Sequence, residues 1–153
     1  MSYDKLTPEG KRFYAEIEKL KKLQVRVGFQ RGDATEEDGT DLVDIAAWNE
    51  LGNEHVPSRP FMRDSVDKHK DQINAFLKNQ LVLLAQGKTD ANKILNAIGV
   101  FQKGLVQKEI VDGEFAPNAP STIRKKKSDK PLIDTGTMRQ SVNYVITKKG
   151  DVK

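Results

Sequence analysis

The sequence predicts an α+β fold: a small antiparallel sheet packed against a long helical hairpin, with an N-terminal helix and short helices beside it. Three observations carry this prediction. Residues 60–85 and 89–112 keep apolar side chains at helical spacing with only a short glycine-bearing link between them, which favours an antiparallel hairpin. Residues 23–29 and 142–147 instead alternate or are β-branched, as strands require. With so few strands and no strand–helix–strand repeat, the sheet must be antiparallel and helix-covered.

The elements follow in order. Thr7-Pro8 reads as an N-cap and first helical residue, where proline's missing N–H costs nothing. Phe13, Ile17 and Leu20 then share one face of a helix over 8–22, and Lys19, Lys21 and Lys22 suit its negative C-terminal end. Leu23 to Phe29 alternates with period two, and Gly28 is a candidate bulge. Residues 32–40 form an acidic, glycine-containing loop. Thr40 or Asp41 is expected to cap the next helix, which carries Leu42, Ile45, Ala46 and Leu51 and ends at Gly52. After a turn over 53–57, Pro60 starts a long helix with Val66, Ile73, Phe76, Leu77, Leu81 and Leu84 as its stripe, stopping at Gly87. Thr89 is expected to cap the partner helix, which carries Ile94, Leu95, Ile98, Phe101, Leu105 and Ile110 and ends near Gly113. A proline-broken connection over 115–120 follows, then a short turn capped by Ser121 or Thr122. Asp134 or Thr135 reads as the N-cap of a last helical turn before the strand at Val142 to Thr147.

Length and composition set the outer limits. At 153 residues the chain is expected to form a single domain, 1–153. Apolar residues make up 37% and charged residues 31%, polar for a globular domain yet not the profile of a disordered one. The absence of cysteine excludes disulfides and thiolate metal sites. No apolar run reaches bilayer length and the N-terminus has no secretory apolar core, so a cytosolic, non-membrane protein is expected. The net charge of +4 is unevenly spread. Asp33, Glu36, Glu37, Asp38, Asp41 and Asp44 follow one another with no basic residue between them. Arg124, Lys125, Lys126, Lys127 and Lys130 are the reverse, extended by Lys148, Lys149 and Lys153. An acidic loop and a basic arm suit head-to-tail assembly of copies; two solvated loops are the plain alternative. Residues 31–40 and 114–130 are expected to be mobile in an isolated subunit, because little apolar burial offsets their ordering entropy.

Catalytic patterns are missing. His55 lies in a turn and His69 on the polar side of a helix, neither with a second ligand at metal spacing. The acidic loop lacks the ligand alternation of a calcium loop, and no phosphate-cradling loop, nucleophile elbow or zinc-protease pair occurs. Asp134-Thr135-Gly136 has the triplet of an aspartic protease, but that chemistry needs two carboxylates sharing a proton, and a capped turn fits the flanks better. No enzyme activity, cofactor, metal or small-molecule substrate is expected. Arg124, Lys125, Lys126 and Lys127 can meet phosphates without reading sequence, which leaves a weak DNA contact open, although no aromatic interrupts the run. Trp48 is a core anchor or an interface hot spot, and Ile45 and Leu51 favour the core. Arg59, stiffened between Ser58 and Pro60, is expected to be exposed with Phe61 and Arg63 as a partner contact, or to pair internally with Asp64 or Glu54. The candidate subunit or partner interface is therefore Arg59, Phe61 and Arg63 together with the basic run 124–127.

Several motifs occur in a telling order: Val27-Gly28-Phe29; Ala46 through Trp48, Glu50 and Leu51 to Gly52; Pro57-Ser58-Arg59-Pro60-Phe61-Met62-Arg63; and Pro131 through Asp134, Thr135, Gly136 and Met138 to Tyr144. Ala119-Pro120-Ser121-Thr122 with the lysines after it precedes the last block. Together, over about residues 24–147, they resemble the tail-completion or neck (virion-morphogenesis) proteins of long-tailed bacteriophages and prophages. The departures are minor: Leu51 stands where phenylalanine is common and Met138 where leucine is. The resemblance implies a structural protein that works as a ring of identical subunits, finishing the tail or joining it to the head. It implies neck, portal or tail-tube proteins as partners, the virion as location, and the host cytoplasm during assembly. It brings no catalytic residues. A small basic nucleic-acid-binding module is the alternative expectation.

Overall fold

In a computed structural model of the chain, residues 5–35, 39–55, 57–113 and 137–150 are described. Among them the order is α1 (Pro8–Lys22), β1 (Leu23–Gly28), α2 (Leu42–Leu51), α3 (Phe61–Asp67), α4 (Lys70–Ala85), α5 (Ala91–Asp112), α6 (Thr137–Ser141) and β2 (Asn143–Lys148). The two strands pair as a small antiparallel sheet, so the α+β class expected from the sequence is the one seen. Helix α1 begins where Thr7 accepts the Gly10 amide at 3.0 Å and Pro8 takes the first turn. Asp41, not Thr40, caps α2 by accepting the Val43 amide, and Gly52 ends that helix at a φ of 71°.

Four expectations are corrected. The long helix over 60–85 is broken at Lys68 and His69. The stripe read through Val66 lay on the wrong face: Phe61, Ser65 and His69, spaced four apart, turn inward while Val66 is exposed. There the His69 amide reaches back only three residues, to the Val66 carbonyl, and His69 Nδ1 lies 3.1 Å from the Ser65 carbonyl oxygen. His69 is thus buried rather than on a polar surface. At the next boundary Asp90, not Thr89, caps α5: its carboxylate accepts the Lys93 amide at 2.9 Å.

The chain, expected from its length to be one domain, divides into two compact units. The first comprises residues 1–26, 70–101 and 144–153. It contains the α4–α5 hairpin, in which Phe76 and Phe101 stack with ring centroids 4.3 Å apart. Helix α1 grips the hairpin turn. Arg12 Nη2 donates to the Leu84 carbonyl at 2.9 Å, and Glu16 accepts the Ala91 amide at 2.8 Å. Gly87, at a φ of 74°, makes the turn between them. From β2, Tyr144 lays its ring on the bare backbone of Gly99 and donates its hydroxyl to Asn96 at 2.9 Å.

The second unit comprises residues 27–69 and 102–143. Its core is Ala46, Phe61, Val106, Ile110, Met138 and Val142, with Val27, Phe29, Ile45 and Met62 packed around it. Phe29 meets Phe61 edge to face at 6.1 Å. The buried polar groups are paired: Gln102 donates to Ser65 Oγ, Ser65 donates to the Met62 carbonyl, and Lys68 reaches the buried Glu109 at 3.3 Å.

Candidate interaction surface

The two central motif blocks fold into one clasp. Helix α3 starts behind Pro60, which offers no capping side chain. Glu50 of α2 supplies the cap: its two carboxylate oxygens accept the Met62 and Arg63 amides at 2.9 and 3.1 Å. Ser58 Oγ donates to the Glu50 carbonyl at 2.9 Å, and the Arg59 amide donates to the Asn49 carbonyl. Pairing the end of one block to the start of the other explains why a stiff Pro-Ser-Arg-Pro run follows the Asn-Glu-Leu-Gly helix end.

The clasp corrects the expected roles of Arg59 and Phe61. Arg59 is only 7% exposed, its guanidinium Nη1 reaching Asn49 Oδ1 at 3.3 Å, and burial pushes its pKa below the ordinary arginine value. Phe61 is fully enclosed in the second unit's core. Two prolines stiffen the segment to seat these side chains inward, so a subunit contact made by Arg59 and Phe61 on the surface is not what the fold offers. Of the three expected there, only Arg63 is exposed. Pro60 is half-buried and Gly52 is the helix end that the sequence suggested. Residues 124–127, and the proposed cap at Asp134, Thr135 and Gly136, lie outside the described residues.

Trp48 moves the other way. Its neighbours in sequence favour the core, yet it is 49% exposed, and Leu51 one turn on is 73% exposed. Helix α2 is apolar on both sides: Leu42 and Ala46 are buried, while Asp44, Ala47, Trp48 and Leu51 make a stripe on the opposite side. At the head of that stripe, Arg31 donates two hydrogen bonds to Asp44, at 2.8 and 3.2 Å. This bidentate contact lowers the Asp44 pKa and raises that of Arg31. The described flanks of the acidic loop are tied together as well. The Gly32 amide donates to Asp41, the Leu42 amide donates to the Ala34 carbonyl, and Thr35 bridges to Asp41. Residues 36–38 lie outside the described part.

In the first unit, an open cleft of about 510 Å³ is lined by Lys19, Lys22, Leu23, Lys148 and Lys149. Lys19 is drawn to Glu16 at 3.2 Å. Among the described residues, Lys22, Lys148 and Lys149 enter no ion pair. No group of three or more His, Asp or Glu among the described residues could hold a metal ion, and no described helix is long and apolar enough to cross a membrane.

The sequence reading missed Glu50 and Asn49 as the clasp's connectors. A signal was available: with Pro60 at the cap position and Arg59 immediately before it, the helix has no Ser, Thr, Asp or Asn there and must find its cap elsewhere. No protein-family model, curated protein or solved structure matches the chain.

Proposed function

We propose that the chain is a structural assembly protein of a bacteriophage neck, working as a ring of identical subunits that completes the tail or joins it to the head. The observation that carries this reading is the clasp. The Trp48–Gly52 and Pro57–Arg63 blocks, half of the motif series resembling neck proteins, are built as one unit around Glu50, as expected of motifs that belong together. The part has no enzymatic role in this reading. Its partners are its own copies and neighbouring neck, portal or tail-tube proteins, and its destination is the virion.

Disrupting the gene in its phage or prophage tests this. Electron micrographs should show filled heads and tails that fail to join, and the wild-type chain supplied in trans should restore whole particles that contain it in several copies. Infectious particles at normal titre without the chain would overturn the proposal. The alternative, a basic nucleic-acid-binding module, draws on the lysine-lined cleft. Among the described residues, that cleft has no aromatic lining residue on which a base would stack.

A further inference from the structure

We infer that the exposed stripe of α2 is a docking surface for a second copy of this chain, which receives it in the lysine-lined cleft formed by α1, β1 and β2. The inference rests on the ring reading for its choice of occupant and adds the two faces that meet.

The stripe has the composition of a contact rather than of a solvated surface. A helix carrying apolar residues on both sides belongs between two partners, and the described fold supplies only one, at Leu42 and Ala46. On the other side Trp48 and Leu51, three residues apart, form a joint apolar knob. Tryptophan at the centre of such a knob is the side chain that most often anchors an interface, because a large area is buried for few lost rotamers.

Charge selects the partner. Between Gly32 and Ser58 the described acids are Asp33, Asp41, Asp44, Glu50 and Glu54 and no Lys or Arg occurs, while Arg31 at the edge of the stretch pairs with Asp44. An apolar knob on an acidic stretch of chain is matched by a recess with apolar walls and a basic rim. The cleft lined by Lys19, Lys22, Leu23, Lys148 and Lys149 answers both demands. Lysine stems and Leu23 give apolar walls, and the ammonium groups give the rim. Knob and recess are different patches of the same chain, so the contact is heterologous: each copy has one of each, and the series runs from copy to copy.

Sedimentation velocity on the full chain at low and moderate salt tests the contact, using Trp48→Ala with Leu51→Ser as one variant and Lys148→Glu with Lys149→Glu as the other. All four side chains are exposed, and circular dichroism checks that both variants stay folded. Wild type should self-associate with rising concentration, and each variant should weaken that association at least tenfold. Mixed together, the two variants should form a one-to-one dimer and nothing larger, since each keeps one intact face. A mixture that stays monomeric, or variants that associate like wild type, would overturn the proposed contact. In the latter case the ring reading stands with another interface; a wild-type chain that stays monomeric and is missing from particles removes both. Wild-type assembly by the lysine variant, with loss of affinity for random-sequence duplex DNA, would assign the cleft to nucleic acid instead.

Discussion

Arg12 and Glu16 lie one turn apart on α1 and hold the two halves of one turn. Arg12 donates to the Leu84 carbonyl at the end of α4, and Glu16 accepts from the Ala91 amide at the start of α5. The cation meets the negative end of one helix and the anion meets the positive end of the next. A single helical repeat on α1 thus engages terminal backbone groups of both hairpin arms, the Leu84 carbonyl accepting the Gly87 amide as well.

Glu16→Ala should cost about 1 kcal/mol, the usual loss when a helix N-terminus gives up a side-chain acceptor. The Ala91 hydrogen bond, aided by Lys19, holds the Glu16 carboxyl below its ordinary pKa. Stability from a lowered carboxyl is present above the unfolded value and is lost as pH falls through the folded one. The gap in melting temperature between wild type and Glu16→Gln should therefore be widest near neutrality and close below about pH 4. A gap that stays constant down to strongly acidic pH would show that the charge of Glu16 does not contribute.

Two glycines of α5 should respond in opposite ways to the same substitution. A Cβ at Gly99 would run into the Tyr144 ring, which Asn96 holds through the hydroxyl, so Gly99→Ala should cost about 1–3 kcal/mol. Nothing lies within 4 Å of a Cβ at Gly104, so Gly104→Ala should stabilise by about 0.5–1 kcal/mol through helix propensity alone. Urea denaturation of the two variants beside wild type measures both signs. Equal effects would mean that Tyr144 does not seat on Gly99.

The local elements were legible because each is written in adjacent residues. Thr7-Pro8, Asp41 with Gly52, and Gly87 mark helix ends by their own backbone chemistry, and the alternation at Leu23 to Gly28 marks a strand. What was not legible depends on which neighbour a side chain meets. Val66 has the right spacing for the long stripe, but packing chose Ser65 and His69, and polar residues do not announce a buried face. Arg59 and Trp48 exchanged their expected places for the same reason. Arginine suggests the surface and tryptophan the core until a partner such as Asn49 gives the guanidinium an interior acceptor.

Glu50 should prove the most sensitive polar residue of the second unit. Its carboxylate satisfies two amides at the start of α3, and the proline before that helix leaves no local substitute. Glu50→Ala should cost about 2–3 kcal/mol, since hydrogen bonds to a charged acceptor exceed neutral ones. Glu50→Gln, which keeps one good acceptor, should fall between Ala and wild type. Amide exchange at Met62 and Arg63 should accelerate in both variants; unchanged protection there would refute the capping role.

Arg59 and Arg63 separate the two roles first expected of one segment. Arg59 is enclosed beside Asn49, so Arg59→Ala removes both packing and a hydrogen-bond partner and should cost about 2 kcal/mol. Arg63 keeps its side chain outside, so Arg63→Ala should stay within about 0.5 kcal/mol of wild type. If the segment also contributes to assembly, the assembly defect of Arg59→Ala should track its loss of folded protein and be repaired by lowering the temperature. Any defect of Arg63→Ala should persist in fully folded protein. Thermal melts read beside particle yield distinguish the two, and an Arg59→Ala protein as stable as wild type would place that side chain outside the fold after all.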